Sequence, residues 1–133
     1  STRLLAWDAT TGRPLWDATR PKDASIAGVV RSPEGTVIVL AGRQVTAYDT
    51  LTGRRRLAWP ESAHAGLRGV GAATVVGGEV FWPTRDAIYT LDPVRGGFTR
   101  PPIALSPVSK LGANLVTTDA GLLVCGPKRL RLL

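Results

Sequence analysis

The chain has 133 residues, 44% of them apolar and 20% charged, with 17 Lys and Arg against 10 Asp and Glu for a net charge of +7. That length and apolar share suit one domain with a buried core and exclude a disordered chain. A single cysteine, Cys125, excludes an intrachain disulfide and a multi-cysteine metal site, and no apolar stretch reaches the ~18 residues of a membrane span.

The 15 Gly and 10 Pro fall mostly between short apolar runs. No helical periodicity persists for three turns, so the class is all-β. In chain order, Arg3 to Trp7 and Pro14 to Ala18 read as two strands, entered directly from Ser1 without a signal-peptide pattern. Ser25 to Arg31, Thr36 to Ala41, Gln44 to Tyr48 and Arg55 to Trp59 read as the next four. Val70 to Val75, Glu79 to Pro83, Ala87 to Leu91 and Phe98 to Leu105 repeat that order. Asn114 to Thr117, Leu122 to Cys125 and Arg129 to Leu133 begin it again.

The repeat has a fixed step. Gly35, Gly78 and Gly121 are 43 residues apart and each opens an apolar run, while Asp49 and Asp92 are also 43 apart and Asp8 lies 41 before Asp49. Several short strands per unit of ~40 to 45 residues is the pattern of propeller blades. Runs such as Val37-Ile38-Val39-Leu40 are apolar at consecutive positions. Because alternate side chains point to opposite faces, such runs need a sheet covered on both sides, as stacked blades provide.

The expected fold is therefore a β-propeller segment of about three four-stranded antiparallel blades, incomplete at both ends. Residues 1–20 supply the last two strands of one blade, 21–62 a second blade, 63–108 a third, and 109–133 the start of another. Closed propellers use ~4 to 8 blades. Missing blades of a longer chain, or a second copy completing the ring, are the expected partners, since open end blades would expose apolar faces and unpaired edges.

The stretch Leu5 to Trp16 carries the most specific motif. Asp8 ends a strand and can accept backbone N–H bonds, Thr11 can do so more weakly, and Gly12 supplies the positive φ that turns the chain into the next strand. Trp16 then offers a large apolar plate with one donor, and Ala6 allows close approach. The spacing Ala6, Asp8, Thr11, Gly12, Trp16 resembles the tryptophan-docking motif of quinoprotein-type, or PQQ-like, β-propeller repeats. A second copy keeps Ala47, Asp49, Thr52 and Gly53, with Leu57 at the tryptophan position and Trp59 two residues on. A third keeps Asp92 and Gly96, with Thr90, Arg95 and Arg100 at the other places.

The resemblance implies a bacterial, extracytoplasmic binding or scaffold propeller, or alternatively a fragment of a PQQ-dependent oxidoreductase. The enzymes of that family hold their quinone with calcium, an acidic catalytic residue and often adjacent cysteines. Here the acids are turn aspartates (Asp8, Asp49, Asp92) or isolated ones (Asp23, Glu61, Asp86), with no pair spaced for calcium or proton abstraction. No catalytic residue, cofactor or metal is assigned. His64 lies in the linker from Pro60 to Gly69, and Ser62, Ser106 and Ser109 lack a nucleophile elbow. Trp82 reads as core, and Cys125 as a small buried hydrophobe.

Arg54, Arg55 and Arg56 open a strand at the edge of a blade, where charge protects against sheet-to-sheet pairing or docks an acidic partner. Arg85, in the turn after Trp82, joins them as a candidate interaction surface. A third reading, an electrostatic binder of nucleic acid or an anionic surface, draws on the charge alone, because the basic residues are scattered and no aromatic platform is interleaved.

Overall fold

A computed structural model of the chain describes residues 2–20, 26–31, 34–35, 37–60, 66–105, 114–126 and 130–133. The described residues form strands and turns, with no helix. The first sheet pairs β1 (Thr2–Trp7) with β2 (Pro14–Arg20). The second runs β3 (Ile26–Arg31), β4 (Val37–Gly42), β5 (Val45–Asp49) and β6 (Arg55–Trp59). The third runs β7 (Thr74–Val76), β8 (Glu79–Pro83), β9 (Ala87–Leu91) and β10 (Ile103–Ala104), and the last β11 (Asn114–Thr118), β12 (Gly121–Cys125) and β13 (Leu130–Leu132).

All neighbours are antiparallel and follow chain order, so every sheet is a meander. A two-residue turn at Gly77 and Gly78, with φ of +56° and +83°, joins β7 to β8. Positive φ at both central positions matches the twist of a tight hairpin and suits glycine. The first strands of successive sheets lie together: β7 touches both β3 and β11. Leu115 N–H bonds the Ala72 carbonyl at 3.1 Å, and the Asn114 side chain accepts from Ala72 N–H at 3.0 Å. The sheets thus fan out from a line of inner strands, as blades do around an axis.

Strand alternation explains the core. In β8, Val80 and Trp82 turn toward the second sheet and join Val39, Val45, Ala47, Trp59 and Leu91. Phe81, between them, turns the other way and joins Ile88, Leu115, Leu122 and Val124. The third sheet is therefore buried on both faces, which is why Val80 to Pro83 and Ala87 to Tyr89 run without a charged side chain. Of the apolar run in β4, the described side chain is Val39, and it is fully buried.

Two strands are shorter than the sequence leads one to expect. The stretch Phe98 to Leu105 contributes only Ile103 and Ala104 as a strand, preceded by a bridge from Phe98 to Leu91 and a bond from Thr99 N–H to the Thr90 carbonyl at 3.0 Å. Pro101 and Pro102 lack the N–H a ladder needs. Likewise Val70 to Val75 contributes Thr74–Val76, because Val70 lies against Pro83, which accepts its N–H at 3.0 Å but cannot donate in return.

Candidate functional site

The turn between β1 and β2 is built on one carboxylate. Asp8 Oδ1 accepts from Thr10 N–H at 2.7 Å and Thr11 N–H at 3.1 Å, and Gly12, at φ +69°, bonds the Asp8 carbonyl at 2.8 Å. Thr11 Oγ1 accepts from Arg13 N–H at 3.3 Å. The turn between β5 and β6 repeats it: Asp49 Oδ1 takes Leu51 and Thr52 N–H at 3.0 Å each, and Gly53 N–H bonds the Asp49 carbonyl at 2.9 Å. After β9, Asp92 Oδ1 takes Val94 N–H at 2.8 Å and Arg95 N–H at 3.0 Å, with Gly96 N–H on its carbonyl at 2.9 Å.

These bonds stabilise the anion. The backbone N–H of Thr11 chiefly holds the Asp8 carboxyl below the usual carboxylate range. Thr52 N–H, followed by the Arg56 guanidinium, does so for Asp49, and Arg95 N–H for Asp92. A carboxylate so held is a structural acceptor and a poor proton acceptor near neutrality.

The tryptophan position differs from copy to copy. Trp16 reaches from the first sheet to the second, where Nε1 donates to the Thr50 carbonyl at 2.8 Å and its ring covers Gly53. Leu57 reaches to the third, its Cδ1 3.3 Å from where a Cβ on Gly96 would lie. Arg100 stays in its own sheet, pairing with Glu79 and placing its guanidinium 5.6 Å from the Phe81 ring centroid. Ala6 is half-buried opposite Trp16, and Ala47 is fully buried opposite Leu57. Trp59 packs edge-on to Phe98 at 4.5 Å between centroids, a pairing no local pattern announces.

Of the candidate arginines, Arg54, Arg55 and Arg56 are exposed where β6 leaves its turn, and Arg56 pairs with Asp49 at 2.7 Å. Arg85 is exposed in the turn joining β8 to β9. Successive turns of a meander alternate ends, so Arg85 and the Arg54 to Arg56 run sit at opposite ends of their strands. Beside Arg85 is a group that sequence reading missed. Gly69 N–H bonds the Arg43 carbonyl at 3.0 Å and Gly69 pairs with Thr84, which brings Arg43, Arg68 and Arg85 together, all exposed.

Trp82 is fully buried and Cys125 half-buried. Asp23, Glu61, Ser62, His64, Ser106 and Ser109 lie outside the described residues. Among the described residues no three His, Cys, Asp or Glu side chains are grouped to hold a metal ion, and no helix is long and apolar enough to cross a membrane.

The two end sheets are covered on one face. Leu5, Trp7 and Leu15 are 45%, 56% and 54% exposed on the first. On the last, Val116, Leu130 and Leu132 lie on the side opposite buried Leu122 and Val124, with Leu130 71% exposed.

Comparison with solved structures finds BamB from Moraxella catarrhalis, at a TM-score of 0.64 and 18% identity, over 98% of this chain and 42% of that one. The chain thus spans less than half the length of the structure it matches. No curated protein matches its sequence. A family model described as outer membrane protein assembly factor BamB matches residues 1–100 of the 133. With the repeated aspartate turns, the fanned antiparallel sheets and that match over most of its length, the chain belongs to this family of PQQ-like β-propeller repeat proteins.

Proposed function

We propose that this chain is a non-catalytic β-propeller module that binds other protein surfaces as a scaffold. Further blades, of the same polypeptide or of a second copy, complete it into a ring. The observation that carries this reading is the pair of open apolar faces, Leu5, Trp7 and Leu15 at one end and Val116, Leu130 and Leu132 at the other. Exposed apolar areas of that kind mark interaction surfaces. In this reading Ala6, Asp8, Thr11, Gly12 and Trp16, with Ala47, Asp49, Thr52, Gly53, Asp92 and Gly96, hold blade to blade and take no part in chemistry. Arg54, Arg55 and Arg56 guard an edge strand or meet an acidic partner.

An extracytoplasmic role in assembly at the cell envelope is the finer reading, supported by the family description as an assembly factor. Sedimentation equilibrium of the chain tests the scaffold reading: a mass above the monomer's, or association with the remaining blades, supports it, and a stable monomer with both faces bare overturns it. Titration with pyrroloquinoline quinone and calcium tests the non-catalytic part. Saturable binding that turns over a redox dye overturns it.

A further inference from the structure

Three arginines pair within their own sheets, Arg56 with Asp49, Arg100 with Glu79 and Arg3 with Asp17, while Arg13, Arg54, Arg55 and Arg95 are exposed at turns that each hold an aspartate. At the other end of the two central sheets, Arg43, Arg68 and Arg85 are exposed and, among the described residues, none of them makes an ion pair. Among the described residues one carboxylate, the exposed Asp86, shares their turn, so three guanidinium groups stand there beside one described acid.

Their backbone is fixed. Arg43 lies in the tight connection from β4 to β5, where Ala41 pairs with Val45. Arg85 lies in a turn clamped by buried Thr84, whose N–H and hydroxyl both bond the Ala87 carbonyl at 2.8 Å and whose Oγ1 accepts from Ala87 N–H at 3.3 Å. Arg68 precedes Gly69, the residue tied to both turns, by the Arg43 carbonyl on one side and Thr84 on the other. Two neighbouring blades therefore present three arginines from one hydrogen-bonded seam. Arg43 and Arg85 occupy the same turn of successive repeats, so the spacing of the charges follows from the fold.

We propose that Arg43, Arg68 and Arg85 form a docking surface for an acidic segment of a partner protein, its Asp and Glu carboxylates taken by the three guanidinium groups. The inference rests on the binding-module reading given above and names the partner's chemistry. Planar guanidinium forks match carboxylates two bonds at a time, and a fixed backbone limits the entropy lost on pairing. Single-stranded nucleic acid needs aromatic platforms beside the charges. The exposed aromatic side chains described here, Trp7 and Phe98, lie next to the Asp8 and Asp92 turns, at the opposite end. Anionic membranes are held by clusters of ~4 to 8 basic residues, more than this seam provides.

The test is fluorescence anisotropy with a labelled poly-glutamate peptide and the full chain. The wild type is expected to bind with an affinity that falls with salt. Arg43→Gln/Arg68→Gln/Arg85→Gln is expected to bind about tenfold more weakly, the sum of three exposed charge contacts. Arg13→Gln/Arg95→Gln, at two exposed arginines of the Asp8 and Asp92 turns, is expected to stay within about twofold of the wild type, because one pair of rim charges outside the seam contributes little. The triple Arg→Lys variant, which keeps charge and loses the fork, is expected to fall between, and circular dichroism checks that each variant is folded. The proposal is overturned if the folded triple Gln variant binds like the wild type, if the Arg13/Arg95 variant loses as much, or if the wild type does not bind the peptide. Tighter binding of oligothymidylate or phosphatidylserine vesicles than of poly-glutamate also overturns it. Sedimentation of the same variants separates the two readings: loss of peptide binding with assembly intact isolates the seam, and peptide binding by a persistent monomer overturns the scaffold reading alone.

Discussion

The Trp16 indole occupies the space that a side chain on Gly53 would need: a Cβ there would lie 2.5 Å from Cδ2 and Cε3 of the ring. Gly53 also has φ +68°, a conformation that L side chains rarely adopt. Gly53→Ala therefore meets two penalties, backbone strain of about 1–2 kcal/mol and displacement of the indole at a further ~1–3 kcal/mol. Gly12 has φ +69° and nothing within 4 Å of its would-be Cβ. Gly12→Ala is expected to cost only the backbone part. Urea unfolding of the two variants gives the docking contribution by difference, and equal losses would show that Trp16 does not depend on Gly53.

Burial should separate the tryptophans in the same way. Trp82 is fully buried in the core between the second and third sheets, whereas Trp7 is 56% exposed on the outer face of the first. Trp82→Ala is expected to cost about 3–5 kcal/mol, and Trp7→Ala under about 1 kcal/mol in the monomer. Thermal unfolding monitored by circular dichroism checks both.

Acid should weaken the turns. Hydrogen bonds from Thr11, Thr52 and Arg95 N–H lower the folded-state pKa of Asp8, Asp49 and Asp92 below the unfolded value. The folded state therefore binds fewer protons than the unfolded one. The resulting stability is present above the ordinary aspartate value of about 4, and is lost as pH falls below it through the folded-state values. The urea midpoint is expected to hold from pH ~7 to ~5 and to decline below pH ~4. In Asp49→Asn that decline should be shallower, and its starting midpoint lower, because the Arg56 pair is gone. A variant with the wild-type acid limb would remove Asp49 from this account.

Much of this architecture is legible in the sequence, and the reason is local. A 43-residue step of glycine and aspartate marks turns whose bonds span two or three residues, such as Asp92 Oδ1 to Val94 and Arg95 N–H, so short-range chemistry reports them. The length of β10 is harder to read, because Pro101 and Pro102 break a ladder that Thr99 and Leu105 still enter on either side. Trp59 on Phe98, and the seam joining Arg43, Arg68 and Arg85 through Gly69, connect different blades. Neither has a spacing that a repeat scan detects. Arg85 and Arg54 look alike in sequence, and strand direction places them at opposite ends.

Association should depend on the two open faces. Cross-strand neighbours share a face, so Cys125 opposite Leu130 and Leu123 opposite Leu132 make the outer side of the last sheet apolar, continuous with Val116 opposite Leu123. On the first sheet Leu5, Trp7 and Leu15 line a groove of about 220 Å³. Neither set supports the inner packing, since Leu122 and Val124 point the other way. Trp7→Arg and Leu130→Arg are therefore expected to leave the unfolding midpoint within about 1 kcal/mol of the wild type while placing a charge on a surface that must be dehydrated to pair. Each substitution should weaken self-association, or association with the remaining blades, by about tenfold or more, read as a shift in the concentration at which sedimentation mass rises. Burying one unpaired guanidinium costs more than that factor requires. If mass and concentration dependence match the wild type in both variants, the open faces are not where this propeller segment meets its neighbours.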